Sequence, residues 1–415
     1  MKVKLLGLLM GLFVFSACKW GINIEGKYRL QEGDWRGALT TEGGELPFLF
    51  SLTRLTDSTF SLVLQDGDQL IETSEVEVIG DSLIARFPVF ESTLIAGITS
   101  LGDSLHGRLI RVKYDEESTL DFIATRGGKY KFAAQVTRLP EDISGEWQTT
   151  LYKPTGDTTP ALGVFSQRGN EISGTFRTPY GDYRYLTGIL DGDSLYLSGF
   201  DGSGAYLVKA NLNEDGSITG DLYAGFSRIR TFKSVRNPGF ALPDPNSLTS
   251  LRNRDEVVTF SFPTPDGQEI GPQSPAYAGK VVVLQVLGTW CPNCLDETAF
   301  LADFHKKNRD RGFEVIGMGF ERTKMPEKAF DNLRRLQQRF GAEYAMVLAG
   351  KPENEDVMAA LPVMSKLVAF PTTLILDKTG RVRKVHTGFD GPATGAAYNA
   401  YVAEFTATIE SLLAE

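Results

Sequence analysis

The chain has 415 residues, enough for two or three domains with cores of their own, and its apolar (42%) and charged (23%) fractions are those of an ordinary globular protein. That balance excludes a disordered chain and a multi-span membrane protein. A formal charge of -9, with no Lys/Arg stripe, argues against nucleic acid as a partner.

The first residues read as an export signal. Lys2 and Lys4 precede an apolar run, Leu5 to Phe15, that is too short to span a bilayer comfortably, and Ser16, Ala17 and Cys18 follow. The plain reading is a cleaved signal with an incidental cysteine. Phe15-Ser16-Ala17-Cys18 also resembles the bacterial lipoprotein processing box. That resemblance implies a signal peptide over residues 1–17 and a lipidated Cys18 as the mature N-terminus. Lys19 follows in place of the aspartate that signals inner-membrane retention, so the resemblance leans toward an outer-membrane anchor facing the periplasm. The chain has three cysteines. With Cys18 lipidated, only Cys291 and Cys294 remain, and a solitary C-x-x-C in an exported protein points to redox work.

Residues 18–236 read as an all-β sandwich or barrel with an internal duplication. Short alternating runs such as Thr59 to Leu64, Leu83 to Phe87, Ser194 to Leu197 and Tyr206 to Ala210 are bounded by Gly, Asp and Asn. Trp35 precedes Gly80-Asp81-Ser82-Leu83, and Trp147 precedes Gly192-Asp193-Ser194-Leu195, both landmarks displaced by 112 residues. Two small halves would each be marginal alone, so one joint core is expected. The Gly-Asp-Ser-Leu copies look like a serine-esterase block. Their threefold recurrence, counting Gly102-Asp103-Ser104-Leu105, and the scarcity of histidine (His106, His305, His386) favour hairpin turns instead. Trp35 and Trp147 suit core positions better than a ligand platform. Residues 237–251, with Pro238, Gly239, Pro243 and Pro245, read as an interdomain linker.

From 252 to 415 the pattern alternates between strands and helices. The apolar run Val281 to Val286 leads into Trp290-Cys291-Pro292-Asn293-Cys294 and a helix. Strands are expected over Phe313 to Met318, Tyr344 to Leu348, Thr372 to Leu376 and Val382 to Thr387, with helices over Glu327 to Phe340 and Ala396 to Leu413. Lys351 to Asp356 reads as a surface loop, and Val357 to Leu361 as the start of a short helix. The whole predicts a mixed sheet with helices on both faces. Pro292 suits the first helical position. The helix N-terminal field favours a thiolate at Cys291, the expected nucleophile, and Cys294, one turn deeper, is the natural resolving thiol. A zinc site would need more ligands than one cysteine pair supplies, and a four-residue disulfide loop gains little closure entropy.

Trp290-Cys291-Pro292-Asn293-Cys294 followed by Phe370-Pro371-Thr372 resembles the thioredoxin superfamily, most closely its TlpA/ResA-like bacterial branch. The resemblance covers about Arg252 to Glu415. It implies a thiol–disulfide oxidoreductase without cofactor or metal, with a cis Pro371 and a groove formed by Trp290, Pro292, Phe370 and Pro371. It also implies that Glu297, one turn beyond Cys294, tunes the cysteines and moves a proton; a solvated first-turn glutamate is the alternative. Gln285 stands where ordinary thioredoxins carry a buried aspartate, which makes Glu297 the better candidate. The implied direction is reduction of a disulfide-containing protein or peptide client, with a membrane thiol relay as electron donor. Two rivals stand beside it: an oxidase or isomerase using the same cysteines, and an envelope binding protein whose β domain supplies the main function. The composition says nothing about oligomeric state.

Overall fold

The computed structural model describes residues 29–132, 141–225, 230–253 and 255–415. The lipoprotein box and Cys18 lie outside them.

The β region forms two closed eight-stranded barrels in series. In the first, Gly33–Thr41 pairs antiparallel with both Gly44–Arg54 and Glu116–Arg126, which closes the circle. In the second, Gly145–Tyr152 likewise pairs with Thr158–Arg168 and with Arg230–Val235, and Thr158–Arg168 pairs onward with Glu171–Thr178. Closure removes the unpaired edges that an open sheet would leave. Period-2 alternation sends Leu46, Phe48, Phe50 and Leu52 into the first barrel, and Trp147 and Leu151 into the second.

The duplication extends to individual hydrogen bonds. The Trp35 indole N–H donates to the Gln31 carbonyl (3.2 Å), and the Trp147 indole to the Ile143 carbonyl (2.9 Å), four residues back in each case. Arg126 donates to the carbonyl of Glu32, and Arg236 to that of Ser144; the acceptors are 112 residues apart and the arginines 110. Both tryptophans are core residues. Ser82, Ser104 and Ser194 each open a strand, as the turn reading of the Gly-Asp-Ser-Leu copies requires.

The expected joint core is corrected. Each half closes on itself, and Trp147, Phe176 and Leu197 form a cluster separate from that of Trp35, Phe48 and Phe60. The first barrel instead shares its apolar cluster with the C-terminal domain, through residues that include Leu295, Leu333 and Phe405. The second barrel contributes Phe200, whose ring lies 4.6 Å from that of Phe48.

The C-terminal sheet runs in the order Ala345–Gly350, Phe313–Phe320, Val281–Leu287, Thr372–Leu376, Val382–Thr387. The first three strands are parallel and the last two antiparallel. Val281–Leu287 is buried along its whole length, as a central strand flanked on both faces must be. Helices Pro292–Asn308, Pro326–Phe340 and Ala396–Ala414 bring Leu295, Leu333 and Phe405 to one face. The other face carries Val258, Phe260 and the short helix Asn354–Ala360. That helix starts at Asn354, inside the stretch read as loop. The segment read as a linker also holds structure: helix Pro245–Leu248, capped by the Asp244 side chain, docks on the last strand. There the Thr387 hydroxyl donates to Thr249 (2.7 Å). Among the described residues, no helix is long and apolar enough to cross a membrane.

Candidate active site

Val281–Leu287 delivers the chain to the sheet's end, and Gly288 allows the sharp return that follows: a Cβ there would overlap the Trp290 indole. The indole N–H donates to the Phe320 carbonyl (2.9 Å). The buried Glu321 carboxyl accepts from both the backbone N–H and the hydroxyl of Thr289, at 2.9 and 2.8 Å. These bonds fix the turn that presents the cysteines. Cys291 is the extended N-cap residue of Pro292–Asn308, and Pro292 occupies the first turn, where its missing N–H costs nothing.

Cys291 is 7% exposed and Cys294 fully buried, and both are free thiols. The Cys291 Sγ lies 3.5 Å from the Phe370 carbonyl oxygen, and the Phe370–Pro371 peptide bond is cis. Trp290, Phe370 and Phe320 pack edge to face along this wall. Burial, then the neighbouring Cys291, pushes the Cys294 thiol well above its ordinary range.

Glu297 is fully buried and lies in a closed hydrogen-bond network. Its Oε1 accepts from Thr373 (2.6 Å) and Tyr401 (3.4 Å), and its Oε2 accepts from the Gln285 amide (2.9 Å). The same Gln285 nitrogen donates to the Cys294 carbonyl (3.2 Å), so a single side chain ties the carboxyl to the resolving cysteine's backbone. Burial pushes the Glu297 carboxyl up to about 7, from an ordinary 4.5. A solvated first-turn glutamate is therefore ruled out by position. Gln285, read from sequence as the loss of an acid, is the amide that holds the acid contributed by the helix.

The barrels reach this site from two sides. In the second barrel, Arg184 donates to Asp201 (2.9 Å) and, across the interface, to Asp296 (2.7 Å), which lies between Leu295 and Glu297 on the cysteine helix. Asn293, inside the C-x-x-C motif, exchanges two hydrogen bonds with the Asp182 backbone once its amide is oriented to satisfy both. A Cβ at Gly181 would overlap the Asn293 amide, and Gly181 has φ +128°, so glycine is required there on two grounds. Gly388, which donates to the Pro371 carbonyl (2.8 Å), lies against the Tyr180 backbone. From the first barrel, Asp115 accepts from Thr323 (2.8 Å) and the Lys324 N–H (2.9 Å). None of Thr373, Tyr401, Glu321, Arg184 or Gly181 carries a local sequence signal for its position. Only Thr373, following Thr372 after the proline, stood close to a motif.

Residues 252–401 match the family described as Redoxin. The thiol-disulfide oxidoreductase ResA of Geobacillus thermodenitrificans is 27% identical over 167 residues, 40% of this chain and 77% of that protein. The thioredoxin-like protein YneN of Bacillus subtilis is 26% identical over 138 residues, 33% of this chain and 73% of that protein. A putative protein disulfide isomerase from Bacteroides thetaiotaomicron aligns over 40% of this chain and 93% of its own, with 21% identity and a TM-score of 0.31. These matches cover the C-terminal domain. That domain is thioredoxin-like, carries the Redoxin match and is similar to the ResA-type thiol–disulfide oxidoreductases, and it follows a duplicated β-barrel region.

Proposed function

We propose that this protein reduces protein or peptide disulfides in the cell envelope, held there by lipid on Cys18. The thiolate of Cys291 attacks one sulfur of the client disulfide, and the other client sulfur leaves and takes a proton. Cys294 then loses its proton to the Glu297 carboxylate and attacks the Cys291 sulfur; the second client sulfur leaves as a thiolate and takes up a proton, and Glu297 returns its own to solvent. The client gains two electrons and two protons, and the Cys291–Cys294 pair becomes a disulfide. A membrane dithiol relay would return the electrons.

The observation that carries this reading is the buried Glu297, tied through Gln285 to the backbone of a buried thiol that resists ionising on its own. Resolution of the mixed disulfide needs a base at that point. The same burial supports reduction over oxidation. A reduced pair whose inner thiolate is penalised is less stable than one with a stabilised thiolate, which favours giving electrons away. The test is capture of clients in cells. Cys294→Ala should accumulate mixed disulfides that map to Cys291, whereas Cys291→Ala should trap little. Clients captured through Cys294 instead would overturn the assignment. Cys18→Ser should leave the protein unprocessed or released from the membrane fraction, and unchanged retention would remove the anchor from the reading.

A further inference from the structure

The first barrel's longest-paired hairpin, Ser104–Lys113 with Glu116–Arg126, ends at the redox site. Its two tip residues, Tyr114 (φ 53°) and Asp115 (φ 62°), both adopt the left-handed conformation. A two-residue turn of that kind prefers Asn-Gly, and a bulky aromatic residue there is strained. Strain of this sort persists where the surroundings over-determine it, and is a reason to look for a function.

The tip is clamped rather than free. Asp115 is held by Thr323, by the Lys324 N–H and by Lys328 (3.3 Å), in the segment that follows the Trp290 partner Phe320. Clamping leaves the Tyr114 ring 43% exposed. The Arg322 guanidinium lies 3.6 Å from the Trp290 ring centroid and 5.6 Å from that of Tyr114, so a continuous ladder runs from the barrel tip to the residue before Cys291. Arg111, Lys113 and Arg322 line the same narrow groove as Trp290. The groove's own carboxylates are engaged: Glu91 by Lys328 (2.9 Å) and Asn332, and Glu321 by Thr289. Lys113 makes no ion pair among the described residues, including with its exposed cross-strand partner Glu116. Burial first, then the charges of Arg322 and Arg111, pushes the Lys113 ammonium below its ordinary range.

Building on the reductase reading, we propose that this tip is the client-selecting wall of the cleft. It accepts an extended acidic segment flanking the client's disulfide cysteine, with Tyr114 as the aromatic platform and Lys113 and Arg322 as the charges that meet its carboxylates. Lys113 and Arg322 on a half-exposed groove favour that occupant over a lysine-rich segment, which those two charges would repel.

The test uses the pre-reduced mature protein and two disulfide-linked peptide dimers, one with Glu and one with Lys on either side of the cysteine. Hydroxyethyl disulfide, small and uncharged, serves as the reference for the wild type. The Glu peptide should be reduced about fivefold faster than the Lys peptide, the factor that exposed charge pairs supply, and the preference should shrink in high salt. Lys113→Glu should invert the ratio of the two rates, a readout in which any general loss of activity cancels. Tyr114→Asn, which suits the turn, should raise KM for both peptides while keeping or raising Tm; a lower Tm with unchanged KM would make the ring structural. A ratio of one in the wild type, or a ratio unmoved by Lys113→Glu, would overturn the selecting wall. Failure to reduce hydroxyethyl disulfide through Cys291 would overturn the reductase reading beneath it.

Discussion

Glu297→Gln isolates the acid from the shape it occupies. General acid–base catalysis is worth on the order of a hundredfold or more, and the Cys294 thiol is held far from ionising by burial. Resolution of a mixed disulfide should therefore slow at least ~100-fold in the variant, about 2.7 kcal/mol of barrier. Attack by Cys291 on the first disulfide should slow much less. In the wild type the resolution rate should rise through pH 7 and level off as Glu297 ionises; in the variant that inflection should vanish. Stability gives a second, independent readout. A carboxyl titrating near 7 when folded and near 4.5 when unfolded binds its proton more tightly in the folded state between those values. The wild type should thus lose roughly 3 kcal/mol of stability as pH rises from about 4 to about 8, whereas the amide does not titrate. The stability difference between variant and wild type should move by that amount in the variant's favour across this range, on top of a pH-independent cost of about 1 kcal/mol because the new amide faces the Gln285 donor. Single-turnover kinetics with a preformed mixed disulfide and urea titrations at pH 4, 6 and 8 check both. A variant that keeps the inflection near pH 7, or that resolves within threefold of wild type, would refute the base assignment.

Three further outcomes test the frame around the site. Arg184→Met leaves Asp201 and Asp296 buried without their cation and should cost about 3 kcal/mol or more in urea unfolding at pH 8; burial already raises Asp296 to about 6, so the loss should lessen below that pH. Gly181→Ala forces a Cβ into the Asn293 amide at φ +128° and should cost about 2 kcal/mol or more, and Asn293→Ala in the same chain should recover part of it, as a double-mutant cycle would read. Trp35→Phe and Trp147→Phe remove equivalent indole bonds and should destabilise to within about 1 kcal/mol of each other, at ~1–3 kcal/mol each, if the two barrels are true duplicates.

The redox domain was legible because its signals are local. Val281 to Val286 and Thr372 to Leu376 are apolar runs bounded by turn chemistry, and they form the central strands expected. The C-x-x-C at a helix start and Glu297 at helical spacing placed the site's two thiols and its carboxyl within about two turns. What escaped is made by chain closure and by distant contacts. Alternation along Gly44–Arg54 says which residues face inward, but a sandwich, one large barrel and two small ones share that alternation, so the separate cores could not be read. The role of Gln285 was read by position alone; that its amide joins Glu297 to Cys294 depends on how the helix lies across the strand. Arg184 and Tyr114 are more than 100 residues from the cysteines, and nothing near them in the chain announces the contact.

The apolar cluster that passes from the first barrel into the helix layer of the redox domain bears on what a domain boundary means in this molecule. Residues 237–251 separate the barrels from the thioredoxin-like sheet in sequence, yet no gap separates them in packing. Phe48, Phe60, Leu295 and Leu333 belong to one continuous interior, and the Arg184–Asp296 and Asp115–Thr323 links pin its margins. A protease that nicks the tether would yield two fragments that stay together and keep reacting as one particle. The excised redox half would carry a bare greasy face. The tether is thus dispensable for holding the halves together once they have met; its work is to make them meet.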